Sequence, residues 1–229
     1  MKRIFLTTAL VGGLSLLGQA AQATPYSFTS SGSFSNLSGA TALSSGEIGW
    51  GGSTMTADPL STNQNGNTPA PSDVIGSLTW FNSSTSSDNG ATVSADYKLT
   101  LAFSQPGPGG ANSETFDLSI TNTANTARVC IFFVFCSNTG DVDDTGNISP
   151  QSPSFTVDGL LISSFTFSES GDGSFSNGVW TNPEGGDSTL TIKASITNAP
   201  SDVPEPVSIA LLGTGLLGIG SIRHRRRTA

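Results

Sequence analysis

Between Thr92 and Phe103 the residues alternate. Val93, Ala95, Tyr97, Leu99, Leu101 and Phe103 fall on one side, and Ser94, Asp96, Lys98 and Thr100 on the other. A period of two buries one face only in a strand, because a helix would scatter the same apolar residues around its circumference. The stretch therefore demands a sheet with one dry face and one wet face. Pro106-Gly107-Pro108-Gly109-Gly110 ends it. The same alternation recurs in Phe116, Leu118 and Ile120, and again in Leu190, Ile192, Ala194 and Ile196. Shorter strand-like runs lie at Tyr26 to Asn36, Gly46 to Gly52 and Val74 to Asn82, and two more flank the turn residues Asp158-Gly159. Asp58 to Asp73, with its prolines and asparagines, reads as a loop. Between the two chain ends no stretch has helical periodicity. About eight to ten short strands broken by Gly, Pro, Asn and Ser predict an all-β fold, a single jelly-roll-like β-sandwich, with a barrel as the lesser alternative.

The two ends of the chain follow other rules. Lys2 and Arg3, an apolar stretch from Ile4 to about Gly18, and then Ala21-Gln22-Ala23 fit a secretory signal peptide cut after Ala23. This predicts passage through Sec-type export machinery and a signal peptidase. At the far end stand Val203-Pro204-Glu205-Pro206, an uncharged apolar run from Val207 to Ile222, and a cluster holding Arg223, Arg225, Arg226 and Arg227. As a helix the run would span roughly 24 Å, short for a permanent anchor, with the arginines held at the cytoplasmic face. The expected organisation is a signal peptide at 1–23, a secreted domain at 24–198, and a linker with a C-terminal signal at 199–229. That last part divides into the motif at 203–206, a transmembrane helix at 207–222 and the basic cluster at 223–227.

Without its labels the chain is strongly acidic. Only Lys98, Arg128 and Lys193 remain as cations, against every acid except Glu205, sixteen in number, so the net charge is near −13. Nucleic acids and anionic lipid surfaces need a cationic footprint, which this region lacks. Membrane contact is expected only through the C-terminal helix before processing.

The order Pro-Glu-Pro, short glycine-containing hydrophobic helix and terminal arginine cluster resembles the PEP-CTERM sorting signal read by exosortases in Gram-negative bacteria. The resemblance implies that a transpeptidase-like membrane enzyme recognises Pro204, Glu205 and Pro206 and passes the protein to the surface or extracellular matrix. An ordinary C-terminal anchor with a chance Pro-Glu-Pro is the alternative. The central region is similar to the choice-of-anchor K domain in Gly32-Ser33-Phe34, Gly49-Trp50-Gly51, Ile75 to Asn82, the long alternating strand, and Leu118 to Thr123. That resemblance covers roughly residues 26 to 197. It implies a secreted β-rich surface domain and brings no activity with it; the segment from Arg128 to Asn147 fits it least.

Several residues are candidates for local chemistry. Cys130 and Cys136 bracket Ile-Phe-Phe-Val-Phe. In an exported domain two cysteines most simply pair, yet a continuous strand would hold their α-carbons about 20 Å apart, so a disulfide requires a hairpin. Two unpaired thiols are the alternative. Asp141, Asp143 and Asp144 alternate in a Gly-containing turn and could gather oxygens around calcium, the one cofactor suggested; a solvated acidic turn is the plainer reading. Trp180, in loop-like surroundings, is the tryptophan best suited to stack on a sugar, although tryptophans in a sandwich are more often core. Asn36, Asn82 and Asn147 match the glycosylation acceptor pattern, which chance supplies in a chain so rich in Asn and Ser.

Catalysis finds little footing. The sole histidine, His224, lies beyond the hydrophobic run, so the exported region has no His for a Ser-His-Asp or Cys-His arrangement. Nothing singles out a carboxylate pair for glycoside hydrolysis. The expected function is that of a non-enzymatic surface or matrix protein, structural or associated with exopolysaccharide. The alternative is a carbohydrate-binding or adhesive module, calcium-dependent or not.

Overall fold

A computed structural model describes residues 23–60, 63–83, 92–107, 109–123, 129–131, 135–137 and 143–200. Sixteen strands and no helix occupy the described residues. One sheet holds, in spatial order, β14 (Ser174–Ser176), β15 (Val179–Asn182), β11 (Asp144–Pro150), β8 (Ala111–Thr121), β7 (Thr92–Gln105), β1 (Pro25–Ser38) and β5 (Gln64–Asn67). The other holds β12 (Ser154–Val157), β13 (Leu160–Gly171), β16 (Asp187–Asn198), β6 (Ala70–Phe81), β4 (Ser53–Asp58), β3 (Glu47–Trp50) and β2 (Thr41–Ser44). Every pairing in both sheets is antiparallel. The short strands β9 (Val129–Ile131) and β10 (Phe135–Ser137) form a third, two-stranded sheet.

The two large sheets bury one shared core. All six apolar residues of the Thr92–Phe103 alternation are buried, and so are Leu190, Ile192, Ala194 and Ile196 on β16. Rings cross between the layers. Phe116 of β8 meets Phe165 of β13 edge-on at 5.6 Å, and Trp80 of β6 meets Trp180 of β15 at 5.3 Å. Close approach also selects small residues. A Cβ on Gly32 of β1 would lie 2.7 Å from Ala57 Cβ and 2.8 Å from the Tyr97 ring, so the layers close there only over a glycine. The chemistry of the turns matches their geometry. Asp158-Gly159, between β12 and β13, takes φ of 49° and 77°, the left-handed region these residue types tolerate.

The stretch from Asp58 to Asp73 departs from its reading as a loop, since it contains β5 and the first residues of β6. β5 has no apolar alternation because it is an edge strand, paired only with β1. Pro71 is tolerated in β6 because β4 reaches no further than Ser77, leaving that part of the strand with a neighbour on one side only.

The registers sort the strand ends into two groups. At one end lie Pro25, Thr68, Gln105, Leu160 and Asn198. Here Thr68, nearly inaccessible, links the first and last segments. Its N–H donates to Thr24 O at 3.0 Å, its Oγ accepts from Thr24 N–H at 2.9 Å, and its hydroxyl donates to Asn198 Oδ1 at 2.9 Å. At the other end lie Asn82, Thr92, Thr121, Asp144, Asn182 and Asp187. The 12 residues of β16 run from one end to the other, roughly 35–40 Å at strand rise.

Candidate functional site

The end remote from Thr24 and Asn198 gathers buried polar side chains. Asn82 follows β6 and Asn182 closes β15, and both are fully buried. Strand ends leave backbone groups without ladder partners, and an amide, carrying both donors and an acceptor, can answer them. Asn82 Nδ2 donates to the carbonyls of Asn182 at 3.0 Å and Pro183 at 3.3 Å, while its Oδ1 accepts from Ser53 Oγ at 3.3 Å. Asn182 Nδ2 donates in return to the carbonyls of Trp80 at 2.8 Å and Gly186 at 3.2 Å. The two amides thus stitch one sheet to the other.

Asp144 stands directly opposite Asn182 in the β11–β15 register and is likewise fully buried. Its Oδ1 accepts from the N–H of Thr123 at 2.6 Å and from the Thr123 hydroxyl at 2.8 Å. Its Oδ2 is buried without a partner, as is Asn182 Oδ1. The Asn182 amide is held in its orientation by the two carbonyls that its Nδ2 serves, since a flip would set oxygen against oxygen. Burial raises the Asp144 pKa above the usual carboxylate range and the nearby Asp143 charge adds to the rise, whereas the two Thr123 bonds oppose it. Two buried oxygens without hydrogen-bond partners thus belong to directly opposed residues of neighbouring strands.

The acidic run is split by the strand's alternation. Asp143 is exposed and Asp144 buried, while Asp141 lies outside the described residues. Among the described residues no group of three or more His, Cys, Asp or Glu could hold a metal ion.

Trp180 takes the core position, the commoner one for a tryptophan in a sandwich, and not the weaker alternative of an exposed stacking ring. Its ring is fully buried, its indole N–H donates to Ser188 Oγ at 2.7 Å, and Ser188 donates onward to Glu169 at 2.8 Å. The surroundings look loop-like because β15 is short and ends in Asn-Pro, yet the strand is covered by Trp80. Trp50 and Trp80 are buried as well, with ring centroids 6.3 Å apart. A stacking platform needs an open ring face, and none of the three offers one. An open groove of about 350 Å³ does run along the edge of the second sheet, between Thr41, Leu43, Trp50, the Gly51-Gly52 turn and Thr54. No residue lining it is titratable. Of the glycosylation acceptor patterns, Asn36 and Asn147 are exposed, but Asn82 is not an accessible acceptor, being buried and bonded through its amide.

Cys130 and Cys136 occupy opposite positions on β9 and β10, so the bend required for their approach is present. Ala23 is exposed just ahead of β1. Ala21, Val203, Pro204, Glu205, Pro206, Arg223, Arg225, Arg226 and Arg227 lie outside the described residues. The polar residues that matter at this end, Asn82 and Asn182, carried no sequence signal as a pair, because they stand 100 positions apart and only the sheet packing joins them.

The chain matches no protein-family model, and a search of curated proteins finds no relative.

Proposed function

We propose that this is an exported surface or extracellular-matrix protein of a Gram-negative bacterium, sorted and processed by an exosortase through its C-terminal signal, with a structural or exopolysaccharide-associated role. The observation carrying this reading is the order of parts at residues 203–227. Val203, Pro204, Glu205 and Pro206 form the recognition motif, the apolar run the transient membrane helix, and the arginines its cytoplasmic stop.

The fold is compatible with cuts at both ends. β1 begins at Pro25, just past Ala23, and β16 ends at Asn198, before the motif. Removing either label takes none of the described strands from the sandwich. The Thr68 bonds to Thr24 and Asn198 then tie down the segments left behind. We read the sandwich as jelly-roll-like in its long crossovers, which set β1 beside β7 and β16 beside β6. The carbohydrate-binding alternative is the weaker reading, because all three tryptophans are core.

Intact mass and cell fractionation of the native protein, with and without an active exosortase, test the proposal. The expected result is loss of residues beyond the Pro-Glu-Pro region and exosortase-dependent release or surface attachment. An uncut C-terminus in the inner membrane, unchanged when the exosortase is removed, overturns it. Binding of the mature domain to a glycan array at micromolar concentration would favour the adhesive alternative.

A further inference from the structure

Thr121 of β8 and Thr145 of β11 are partners in register, so a tight turn could join them. Instead residues 122–144 intervene. The neck of this excursion is closed where Asp144 accepts two hydrogen bonds from Thr123. Within it β9 and β10 pair as a separate antiparallel sheet, joined by residues 132–134, with Ile131 opposite Phe135, Cys130 opposite Cys136 and Val129 opposite Ser137. These are the chain's two cysteines.

The register decides what the sequence left open. Directly opposed residues of an antiparallel pair have α-carbons about 4.5–5.5 Å apart, inside the roughly 4.4–6.8 Å that a disulfide spans. The same two residues on one continuous strand would be about 20 Å apart and could not bond. A lone two-stranded hairpin is also marginal in water, so a cross-link at this position supplies what the short ladder lacks.

We propose that Cys130 and Cys136 form an intrachain disulfide that clamps this hairpin, made by exchange with a disulfide-bearing oxidant outside the cytoplasm. The thiolate of one cysteine attacks the oxidant's disulfide, forming a mixed disulfide and expelling one oxidant thiol. The second cysteine then attacks the protein sulfur of that bond, closing Sγ–Sγ and releasing the other oxidant thiol. Two cysteine thiols lose two protons and two electrons in all, and the oxidant's disulfide is reduced to two thiols. The export reading enters only as the source of the oxidant; the geometry comes from the register alone.

The native protein recovered from its own cells is denatured in a thiol-alkylating reagent, with and without prior reduction, and its intact mass measured. Expected is a monomer with neither cysteine alkylated, two hydrogens lighter than the reduced chain, and both cysteines alkylated after reduction. Reduction is also expected to speed limited proteolysis within residues 122–143 severalfold, with the remaining sites unchanged. Two alkylated cysteines without reduction, or a disulfide-linked dimer, in protein recovered outside the cytoplasm overturn the proposal and leave export standing. Protein retained in the cytoplasm with its N-terminal label overturns export instead. The purified chain is then treated with oxidised glutathione: closure to the intrachain bond upholds the disulfide, and two glutathione adducts overturn it.

Discussion

The indole of Trp180 stands edge-on to that of Trp80, with ring centroids 5.3 Å apart and planes at 84°, and this contact joins one sheet to the other. Edge-to-face contact sets the positive rim of one ring against the negative face of its partner. Trp180→Ala removes that contact and opens a cavity between the sheets, with an expected cost of about 3–5 kcal/mol. Trp180→Phe keeps a ring but loses the bond to Ser188, and should fall between the wild type and Ala. Urea unfolding measures both. An unchanged midpoint for the Ala variant would mean that the ring is not part of the core.

Asp144 links stability to pH. Its pKa is raised on folding, mainly by burial, so the stability it contributes is fully present below its unfolded value of about 3.9 and is lost as pH rises through the folded value. Glu114, also buried and raised mainly by burial, acts in the same sense. Stability should therefore decline from about pH 4 upward, with self-repulsion of the acidic surface adding to the slope. Asp144→Asn keeps an oxygen for Thr123 and removes the charge, so it should flatten the profile and stabilise the protein at neutral pH. Denaturant titrations at several pH values decide this, and identical slopes for the two proteins would refute it.

Gly32 and Tyr97 are coupled by contact. Gly32→Ala sets a methyl 2.8 Å from the Tyr97 ring and should cost about 1–3 kcal/mol through overpacking. The Tyr97 hydroxyl is buried without a partner, so Tyr97→Phe should be neutral or stabilising. Because that hydroxyl is among the atoms the new methyl would strike, the double variant should recover part of the loss. A double-mutant cycle with no coupling would contradict the packing.

Thr68→Val keeps the shape of the side chain and removes its hydroxyl. The hydroxyl's bonds to Thr24 N–H and Asn198 are lost together, at an expected cost of about 1–2 kcal/mol, while the backbone bond from Thr68 N–H to Thr24 O remains. Hydrogen exchange should quicken at both chain ends and stay unchanged around Asn82. Faster exchange throughout the sandwich would show that the effect is global rather than local.

Sequence periodicity exposes only residues that meet the core in a regular rhythm. β7 was legible because its inward residues from Val93 to Phe103 are all apolar and all buried. β5, Gln-Asn-Gly-Asn, was not, because an edge strand held by backbone bonds to β1 has no apolar face to reveal. Trp180 left core and stacking both open for a related reason. Four residues of strand ending in Asn-Pro resemble a loop until a tryptophan from the other sheet covers them. The Asn177-Gly178 turn, with φ of 53° and 82°, was a local signal that could have identified the β14–β15 hairpin and hence the strand. Asn82 and Asn182 offered no such signal, since an asparagine that ties strand ends across a core is chemically the same as one in a solvated turn. The hairpin opposing Cys130 to Cys136 was a condition the sequence could name without meeting; the backbone register meets it.

The two ends of the sandwich are fastened by different residues. Thr24 and Asn198 meet at Thr68, while Asn82 and Asn182 bond across the sheets at the opposite end. A substitution at Asn82 or Asn182 would therefore act on one end and leave the Thr68 bonds at the other in place. Such a sandwich is latched twice, so a change that opens one end need not open the other.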